Sequence, residues 1–199
     1  GDDLSVSVSS SNNSIAAIIE GNDNILISAD DNFNGSAIVS VIVSEVDGEY
    51  QASESFNVTI NPINDNPSMV AISNIITSEE TITSVSLNAT DIDGDTAFTF
   101  NAQTSSDLFT VDVSSSTLTI IPLDNQVGTG TIEVFANDGN LDSGSIIFDV
   151  TVENVNDAPV LSSISNPASV NEDGDSIVLT LDASDVDEDS VSFELTSSN

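Results

Sequence analysis

The amino-acid sequence predicts an all-β protein built from tandem antiparallel β-sandwiches that are arranged end to end. Three observations lead to this fold class. Apolar and polar residues alternate with a period of two, as expected of half-buried strands. Turn-forming Gly, Asn and Ser residues separate the short apolar runs. Long stretches of sequence recur after about 93 residues, which is an ordinary size for one domain.

The repeat is visible in three pairs of segments. FNVTINPINDNP at 56–67 recurs as FDVTVENVNDAP at 148–159, an offset of 92 residues. ATDIDGD at 89–95 recurs as ASDVDED at 183–189 with an offset of 94, and DDNFNG at 30–35 recurs as LDNQVG at 123–128 with an offset of 93. Since the three offsets agree within two residues, the pairs belong to one repeating unit.

These offsets divide the chain into three parts. Residues 1–62 form the C-terminal part of one repeat, residues 63–155 a complete repeat, and residues 156–199 the N-terminal part of another. In the plainer interpretation, the chain is a segment cut from a longer array of repeats. In the alternative, residues 156–199 of one chain complete the fold begun by residues 1–62 of the next, by strand donation in a filament. Residues 1–11 and 188–199 would then duplicate one strand, which counts against this alternative.

The complete repeat is predicted to contain about seven strands. The first is SMVAISNIIT at 68–77. Six further runs alternate or are short and rich in β-formers: SVSLNAT at 84–90, AFTFNA at 97–102, LFTVDV at 108–113, TLTII at 117–121, TIEVFAN at 131–137 and SIIFDVTVENV at 145–155. Seven short strands in about 93 residues are typical of a seven-stranded antiparallel sandwich of immunoglobulin type. No segment shows a convincing helical period.

The charge balance of the chain is extreme. It contains 34 Asp and Glu residues and no Lys, Arg or His, which gives a formal net charge of −34. Carboxylates that lie close together must therefore be solvated apart, protonated, or bound to a cation from solution. Protonation at neutral pH would require raised pKa values at many sites, so a metal ion is the simplest partner.

The same composition limits the class of metal and of partner. Without Cys or His, only oxygen ligands remain, and these select hard cations such as calcium or magnesium. Because phosphate binding depends on Lys and Arg, we expect no nucleic-acid partner. No apolar run approaches 18 residues, so we expect no membrane insertion in this segment.

Acidic and amide residues recur at four places in each repeat. They are the joint between repeats (Asn64-Asp65-Asn66, Asn156-Asp157), an acidic pair after the first strand (Glu79-Glu80, Glu172-Asp173), a D-x-D motif (Asp91/Asp93, Asp185/Asp187) and a D-G turn (Asp47, Asp138). The D-x-D spacing places both side chains on one face of an extended segment, so one cation can contact both. For Asp138 and Gly139 alone, an ordinary turn explains the sequence equally well.

This ordered set of motifs resembles cadherin repeats, and more closely the bacterial cadherin-like tandem repeats of large extracellular adhesins. The similarity covers essentially the whole chain. The resemblance implies a tandem cadherin-like sandwich fold, an extracellular or cell-surface location, and calcium at each joint between consecutive domains.

The resemblance also implies the ligands of these joints. At the 63–67 joint it implies Asn64, the carbonyl of Asn66, Asp91, Asp93 and Asp138, with Asp65, Asp93 and Asp31 at a neighbouring ion. At the 155–159 joint it implies Asn156, Asp157, the carbonyl of Ala158, Asp185 and Asp187, together with Glu79 or Glu80 and Asp124 from the preceding repeat.

The function expected from these features is structural. A calcium-stiffened array would serve as the stalk of an adhesin or as the body of a surface or biofilm-matrix filament, whose partners are neighbouring repeats or further copies of the same protein. A glycoside hydrolase domain, catalytic or accessory, is the remote alternative because two carboxylates suffice for that reaction. With this many acids no catalytic pair can be chosen, so we expect no enzyme.

Overall fold

A computed structural model describes residues 4–21, 24–46, 50–174 and 176–197, and this part of the chain contains strands and no α-helix. The predicted all-β class is confirmed. Among these residues, no helix is long and apolar enough to cross a membrane. The chain divides into two compact units. The first comprises Gly1–Ser68, Ala89–Phe98 and Ala136–Gly144, and the second comprises Met69–Asn88, Thr99–Phe135 and Ser145–Asn199. The repeat borders at 62/63 and 155/156 stay predictions, and the D-G turn at Asp47 lies outside the described residues.

The described residues among the first 60 form five strands. These are β1 (Leu4–Ser10), β2 (Ile15–Glu20), β3 (Asn24–Ala29), β4 (Gly35–Glu45) and β5 (Gln51–Ile60). An antiparallel sheet has the order β1-β4-β5, and β2 and β3 form a separate antiparallel pair. Val39 and Ile15 are buried, but most other apolar residues of these strands remain partly exposed.

The complete repeat contains nine strands. They are β6 (Ser68–Met69), β7 (Ile75–Ser78), β8 (Thr83–Ser86), β9 (Ala89–Thr90), β10 (Thr99–Thr104), β11 (Phe109–Ser114), β12 (Thr117–Pro122), β13 (Gly128–Asn137) and β14 (Ile146–Glu153). One sheet has the order β10-β13-β14-β7 and another the order β11-β12-β8. Two short strands, β15 (Val160–Leu161) and β16 (Ala183–Ser184), pair antiparallel further along the chain.

A single apolar core lies between these two sheets of the complete repeat. Its buried members come from the segment after β8 and from both sheets: Leu87, Phe109, Leu118, Ile120, Ile132, Val134, Phe148, Val150 and Val152. The predicted alternation is clear in β14, where Phe148 is 3% exposed and its neighbour Ile147 is 67% exposed. Burial of one face of each sheet is what holds a sandwich together.

Two predicted strands are each divided in two, which explains why nine strands replace seven. The strand predicted at 68–77 is interrupted between Met69 and Ile75, and the Asn74 side chain bonds to Asp149 in this interruption. Its Nδ2 donates to Asp149 Oδ2 at 3.0 Å, and its Oδ1 accepts from the Asp149 N–H at 3.1 Å. The strand predicted at 84–90 is interrupted at Leu87, whose N–H donates to the Ser116 carbonyl at 2.8 Å.

The prediction of a purely antiparallel sandwich is wrong for one pair of strands. Strand β7 runs parallel to β14, with Ile75 opposite Val150 and Ser78 opposite Glu153. Hydrophobic alternation reveals which side chains are buried but carries no information about strand direction. Parallel neighbours need a long connection, and here most of the repeat lies between the two strands.

Gly130 on β13 is expected to tolerate no larger residue. A Cβ atom at this position would lie 2.6 Å from Ser106 Cβ and 3.0 Å from Phe109 Cε1. Gly130→Ala should therefore destabilise the repeat by about 1–3 kcal/mol through overpacking. Gly144→Ala is the control, since a Cβ there would have no atom within 4 Å. Urea unfolding followed by circular dichroism measures both, and equal midpoints would contradict the prediction.

Candidate metal centre

The first acidic site lies at the 63–67 joint and is called here the Asp93 cluster: Asp65, Asp91 and Asp93, with Asn64 and Asp138. The backbone N–H of Asp65 donates to Asp93 Oδ2 at 2.7 Å, and the N–H of Asp93 donates to Asp91 Oδ1 at 2.7 Å. Asn64 Nδ2 donates to Asp138 Oδ2 at 2.9 Å. The joint, the D-x-D motif and the D-G turn, which are far apart in sequence, are therefore brought together.

The second acidic site lies at the 155–159 joint and is called here the Glu79 cluster: Glu79, Asp157 and Asp187. One carboxylate oxygen from each residue lies within 4.8 Å of the other two. Glu79 follows β7, where its Oε1 accepts from the Val155 N–H at 2.8 Å. The N–H of Asp157 donates to Asp187 Oδ2 at 2.5 Å. Glu79, the first member of the acidic pair after the first strand, thus lies at the next joint.

The two sites share one local geometry. In the Glu79 cluster, as in the Asp93 cluster, a joint N–H donates to the second Asp of D-x-D. The N–H of that second Asp donates to the first, here from Asp187 to Asp185 Oδ1 at 3.0 Å. In both joints the Asn amide also donates to the next residue's carbonyl at 3.0 Å, from Asn64 to Asp65 and from Asn156 to Asp157. The sequence repeat is therefore also a structural repeat at these sites.

Each of the two sites contains a buried carboxylate oxygen that accepts no hydrogen bond from the described residues. Glu79 is 3% exposed, and its Oε2 accepts no hydrogen bond from any described residue. Asp91 Oδ2 is likewise buried and unpaired within the described part of the chain. Buried carboxylate oxygens need a partner, and the composition offers no cationic side chain.

The donor set of the Glu79 cluster fits calcium. Ligand oxygens lie about 2.3–2.6 Å from calcium, so one ion can span oxygens separated by up to about 5 Å. Carboxylates, amide oxygens and backbone carbonyls are the ligands that this ion takes. The three carboxylates, of which Glu79 has a free buried oxygen, are thus a candidate calcium site.

The remaining predicted ligands differ in placement. Ala158 and Asp185 line a shallow depression with Asp157, and Asp124 is close enough for its charge to act on Asp157. Glu80 is exposed, and the carboxylate group that the described residues form does not include it. Asn66 is exposed, with its Nδ2 donating to the Asp142 carbonyl at 2.6 Å.

Two asparagines were missed by sequence reasoning. Asn32 lines a depression with Asp30 and Asp65, whereas the predicted Asp31 is not among its lining residues. Asn125, at the equivalent place in the complete repeat, lines the depression with Asp157 and Asp185. Both asparagines have positive φ, 58° and 59°, a conformation that Asn adopts more readily than most residues. The signal was the shared D-N dipeptide at 31–32 and 124–125, of which only the acid was considered.

The pKa of one carboxyl group is shifted at each site, and the two shifts have opposite directions. Burial, and then the charges of Asp187, Glu79, Asp185 and Asp124, raise the pKa of Asp157. Hydrogen bonds from the Leu141 N–H, the Asn64 amide and the Asn140 N–H lower the pKa of Asp138. A pKa that is raised in the folded state stabilises the protein at pH values below the unfolded-state pKa, and this stabilisation is lost as pH rises through the folded-state pKa. A pKa that is lowered in the folded state stabilises the protein above the unfolded-state pKa, and this stabilisation is lost as pH falls through the folded-state pKa.

Carboxyl carbon chemical shifts in metal-free protein measure this difference. Asp157 should titrate above the usual Asp value and Asp138 below it. As pH rises from the unfolded-state pKa through the raised folded-state pKa of Asp157, Asp157→Asn should lose less stability than the unsubstituted protein. Calcium should move the Asp157 titration to lower pH. Equal midpoints for the two residues would contradict the expected electrostatics.

The sequence matches no protein-family model and no curated protein sequence. Solved structures are similar. Human protocadherin-24 EC1-2 has a TM-score of 0.52 and 20% identity, covering 76% of this chain and 82% of that one. Extracellular cadherin domains 1-4 of protocadherin gamma B7 have a TM-score of 0.52 and 18% identity, covering 92% and 50%. The gammaB7 EC3-6 cis-dimer structure has a TM-score of 0.52 and 18% identity, covering 86% and 46%.

These likenesses show that the chain has a cadherin-like β-sandwich fold. An endo-fucoidan hydrolase of glycoside hydrolase family 107 also matches, with 16% identity and a TM-score of 0.37, too low to carry an argument. The chain spans 24% of that hydrolase and about half of the two gamma B7 structures.

Proposed function

We propose that this chain is a calcium-stiffened structural segment of an extracellular repeat array, such as the stalk of a bacterial adhesin or a surface or biofilm-matrix filament. The observation that carries the proposal is the Glu79 cluster. Three carboxylates lie within 4.8 Å of one another, and one is buried with an unpaired oxygen in a protein without cationic side chains.

The arrangement of this cluster suggests how calcium acts. Glu79 belongs to the repeat predicted at 63–155, whereas Asp157 and Asp187 belong to the part-repeat that follows. An ion held by all three ties the end of β7 to the next joint. Without the ion, three carboxylates at this distance repel one another and favour opening of the joint. Calcium therefore converts a mutually repelling joint into a stiff one.

The proposed location follows from the ion. Extracellular modules bind calcium with dissociation constants of about 10⁻⁴–10⁻³ M, so irregular oxygen sites of this kind suit a calcium-rich exterior. The similar protocadherin structures are, by their titles, extracellular cadherin domains. Bacterial origin and the stalk or filament role rest on the resemblance of the joint motifs. We propose a mechanical rather than a catalytic role.

Thermal unfolding across a calcium titration at constant ionic strength tests the proposal. We expect a saturable rise in Tm with calcium and a much smaller one with magnesium, which prefers a smaller, regular octahedral site. At ten to a hundred times Kd, each site should add about 1.4–2.7 kcal/mol. Equal shifts with both ions would show that charge screening alone is at work, and the calcium function would be rejected.

A further inference from the structure

The outer face of the β10-β13-β14-β7 sheet contains a hollow that the proposed calcium function does not use. Its volume is about 330 Å³, near the lower end of the range of about 300–1,000 Å³ that small-molecule sites occupy. The hollow lies where the end of β10 passes β13 and β14, and it is called here the Glu133 hollow. Six residues line it: Gln103, Thr104, Ser105, Thr131, Glu133 and Ile147.

The carboxylate of Glu133 is held in place by two neighbouring side chains. Gln103 Nε2 donates to Glu133 Oε2 at 2.8 Å. Hydrogen bonds from the Ser145 side chain and then from Gln103 lower the pKa of Glu133, so this group is ionised at neutral pH. A carboxylate has about four lone-pair sites, so Glu133 can still accept hydrogen bonds from a ligand. The hollow therefore contains a positioned, charged acceptor.

Further hydrogen-bonding groups surround this carboxylate. Because Gln103 Nε2 bonds to the carboxylate, Gln103 Oε1 is left as an acceptor for a ligand. Ser105 and Thr131 add two hydroxyl groups, each of which can donate and accept. Thr104 has a structural role instead, since its Oγ1 donates to the Thr131 carbonyl at 2.8 Å and accepts from the Ser106 N–H at 3.0 Å. The lining thus offers acceptors together with groups that donate as well as accept.

Ile147 supplies the apolar part of the lining. This side chain is 67% exposed, and it lies directly opposite Glu133 in the pairing of β13 with β14. The fold does not require either residue, because Ser40 and Ser55 form the equivalent opposite pair in β4 and β5, 93 and 92 residues earlier. An exposed isoleucine beside a positioned carboxylate is therefore a property of this repeat and not of its fold.

The chemistry of this lining suits a neutral carbohydrate. A sugar ring has a face of C–H groups that can pack on Ile147, and it has neighbouring hydroxyl groups that can donate to Glu133 and Gln103. An anionic glycan would be repelled, because Glu133 is the one charged residue among the described residues of the lining and the whole chain has a net charge of −34. A simple cation would not need the apolar and hydroxyl groups and would find 34 acidic residues to choose from.

We propose that the Glu133 hollow binds one ring of a neutral oligosaccharide. The Glu133 carboxylate accepts hydrogen bonds from two neighbouring hydroxyl groups of the ring, and Ile147 packs against its C–H face. Glu79, Asp157 and Asp187 do not line the hollow, so the binding requires no calcium. The segment would then attach to a polysaccharide through the side of a repeat, in addition to its proposed role as a stiffened support.

Amide chemical shifts of the whole chain, titrated with cellohexaose, mannohexaose and galactohexaose, test this site. At least one of these neutral hexasaccharides should shift the amides of Gln103, Thr131, Glu133 and Ile147 together. We expect a Kd of about 1 mM, equal in chelator and in calcium. An alginate hexamer and spermidine serve as the anionic and cationic controls and should not produce this local pattern. The proposal is overturned if no neutral sugar shifts these amides, if either control shifts them equally, or if the shifts require calcium. The calcium-dependent rise in Tm is unaffected by any of these outcomes.

Two matched pairs of substitutions test the roles of the lining residues. Glu133→Gln should weaken sugar binding about tenfold, because its hydrogen bonds to the ring are no longer assisted by charge. Asp112→Asn removes an exposed charge from β11 in the other sheet and should bind normally. Ile147→Ala should weaken binding about fivefold through lost apolar contact, whereas Ile76→Ala, 68% exposed on the same sheet but outside the hollow, should not. Equal affinities within either pair would contradict the proposed site. Urea unfolding midpoints check that all four variants are folded.

Discussion

Glu79→Gln is expected to raise the stability of the metal-free protein and to remove the response of its joint to calcium. The substitution removes a charge from a side chain that is 3% exposed, while Gln Oε1 can still accept from the Val155 N–H. The new amide nitrogen can donate to Asp157 or Asp187. We expect the metal-free protein to gain about 1–3 kcal/mol, the range for relieving an unsatisfied buried polar group.

The same change should weaken calcium binding, so the contribution of about 1.4–2.7 kcal/mol from this site at ten to a hundred times Kd is lost. The two effects have opposite signs, which makes the result diagnostic. Glu80→Gln is the control, because Glu80 is the exposed neighbour in the same acidic pair. Unfolding midpoints in chelator and in calcium measure both variants. A Glu79→Gln protein that keeps the full calcium response would exclude the Glu79 cluster as the binding site.

Phe148→Ala is expected to cost about 3–5 kcal/mol, because it empties the centre of the complete repeat's core. Phe148 is 3% exposed and packs among the buried members of both sheets. Ile147→Ala, one residue away on the outer face of the same strand, should change the free energy of unfolding by no more than about 0.5 kcal/mol.

Urea unfolding followed by circular dichroism measures this difference. A third variant, Phe56→Ala, compares the same position in residues 4–60, where the ring is 42% exposed. Its cost should be smaller than that of Phe148→Ala, because a half-exposed ring loses less packing when it is truncated. Equal costs for Phe148→Ala and Ile147→Ala would contradict the sidedness of β14.

The sequence was sufficient to predict the sandwich and the meeting of the acidic motifs. The class follows from alternation, as in Phe148, Val150 and Val152 on β14, because burial of one sheet face imposes a period of two. The joint geometry was predictable because a repeat of about 93 residues places equivalent motifs at equivalent positions. The hydrogen bonds from Asp65 to Asp93 and from Asp157 to Asp187 are two copies of one arrangement.

Strand direction and the choice between neighbouring acids were not predictable. The parallel pairing of β7 with β14 depends on contacts across the whole repeat. The local alternation of apolar and polar residues carries no information about such contacts. Glu79 and Glu80 are chemically identical in sequence, and only the path of the chain after β7 buries the first and exposes the second. Asn32 and Asn125 were missed because their position depends on a left-handed backbone conformation rather than on charge.

The parallel pairing of β7 and β14 has a consequence for a protein under tension. These strands are the second and the last of the complete repeat, and Ile75 at the start of one pairs with Val150 while Ser78 pairs with Glu153. A force that pulls the two ends of the repeat apart acts along this pair, so its hydrogen bonds are sheared together instead of being unzipped one at a time. A pair that is sheared in this way resists extension more strongly than a pair whose hydrogen bonds open one after another.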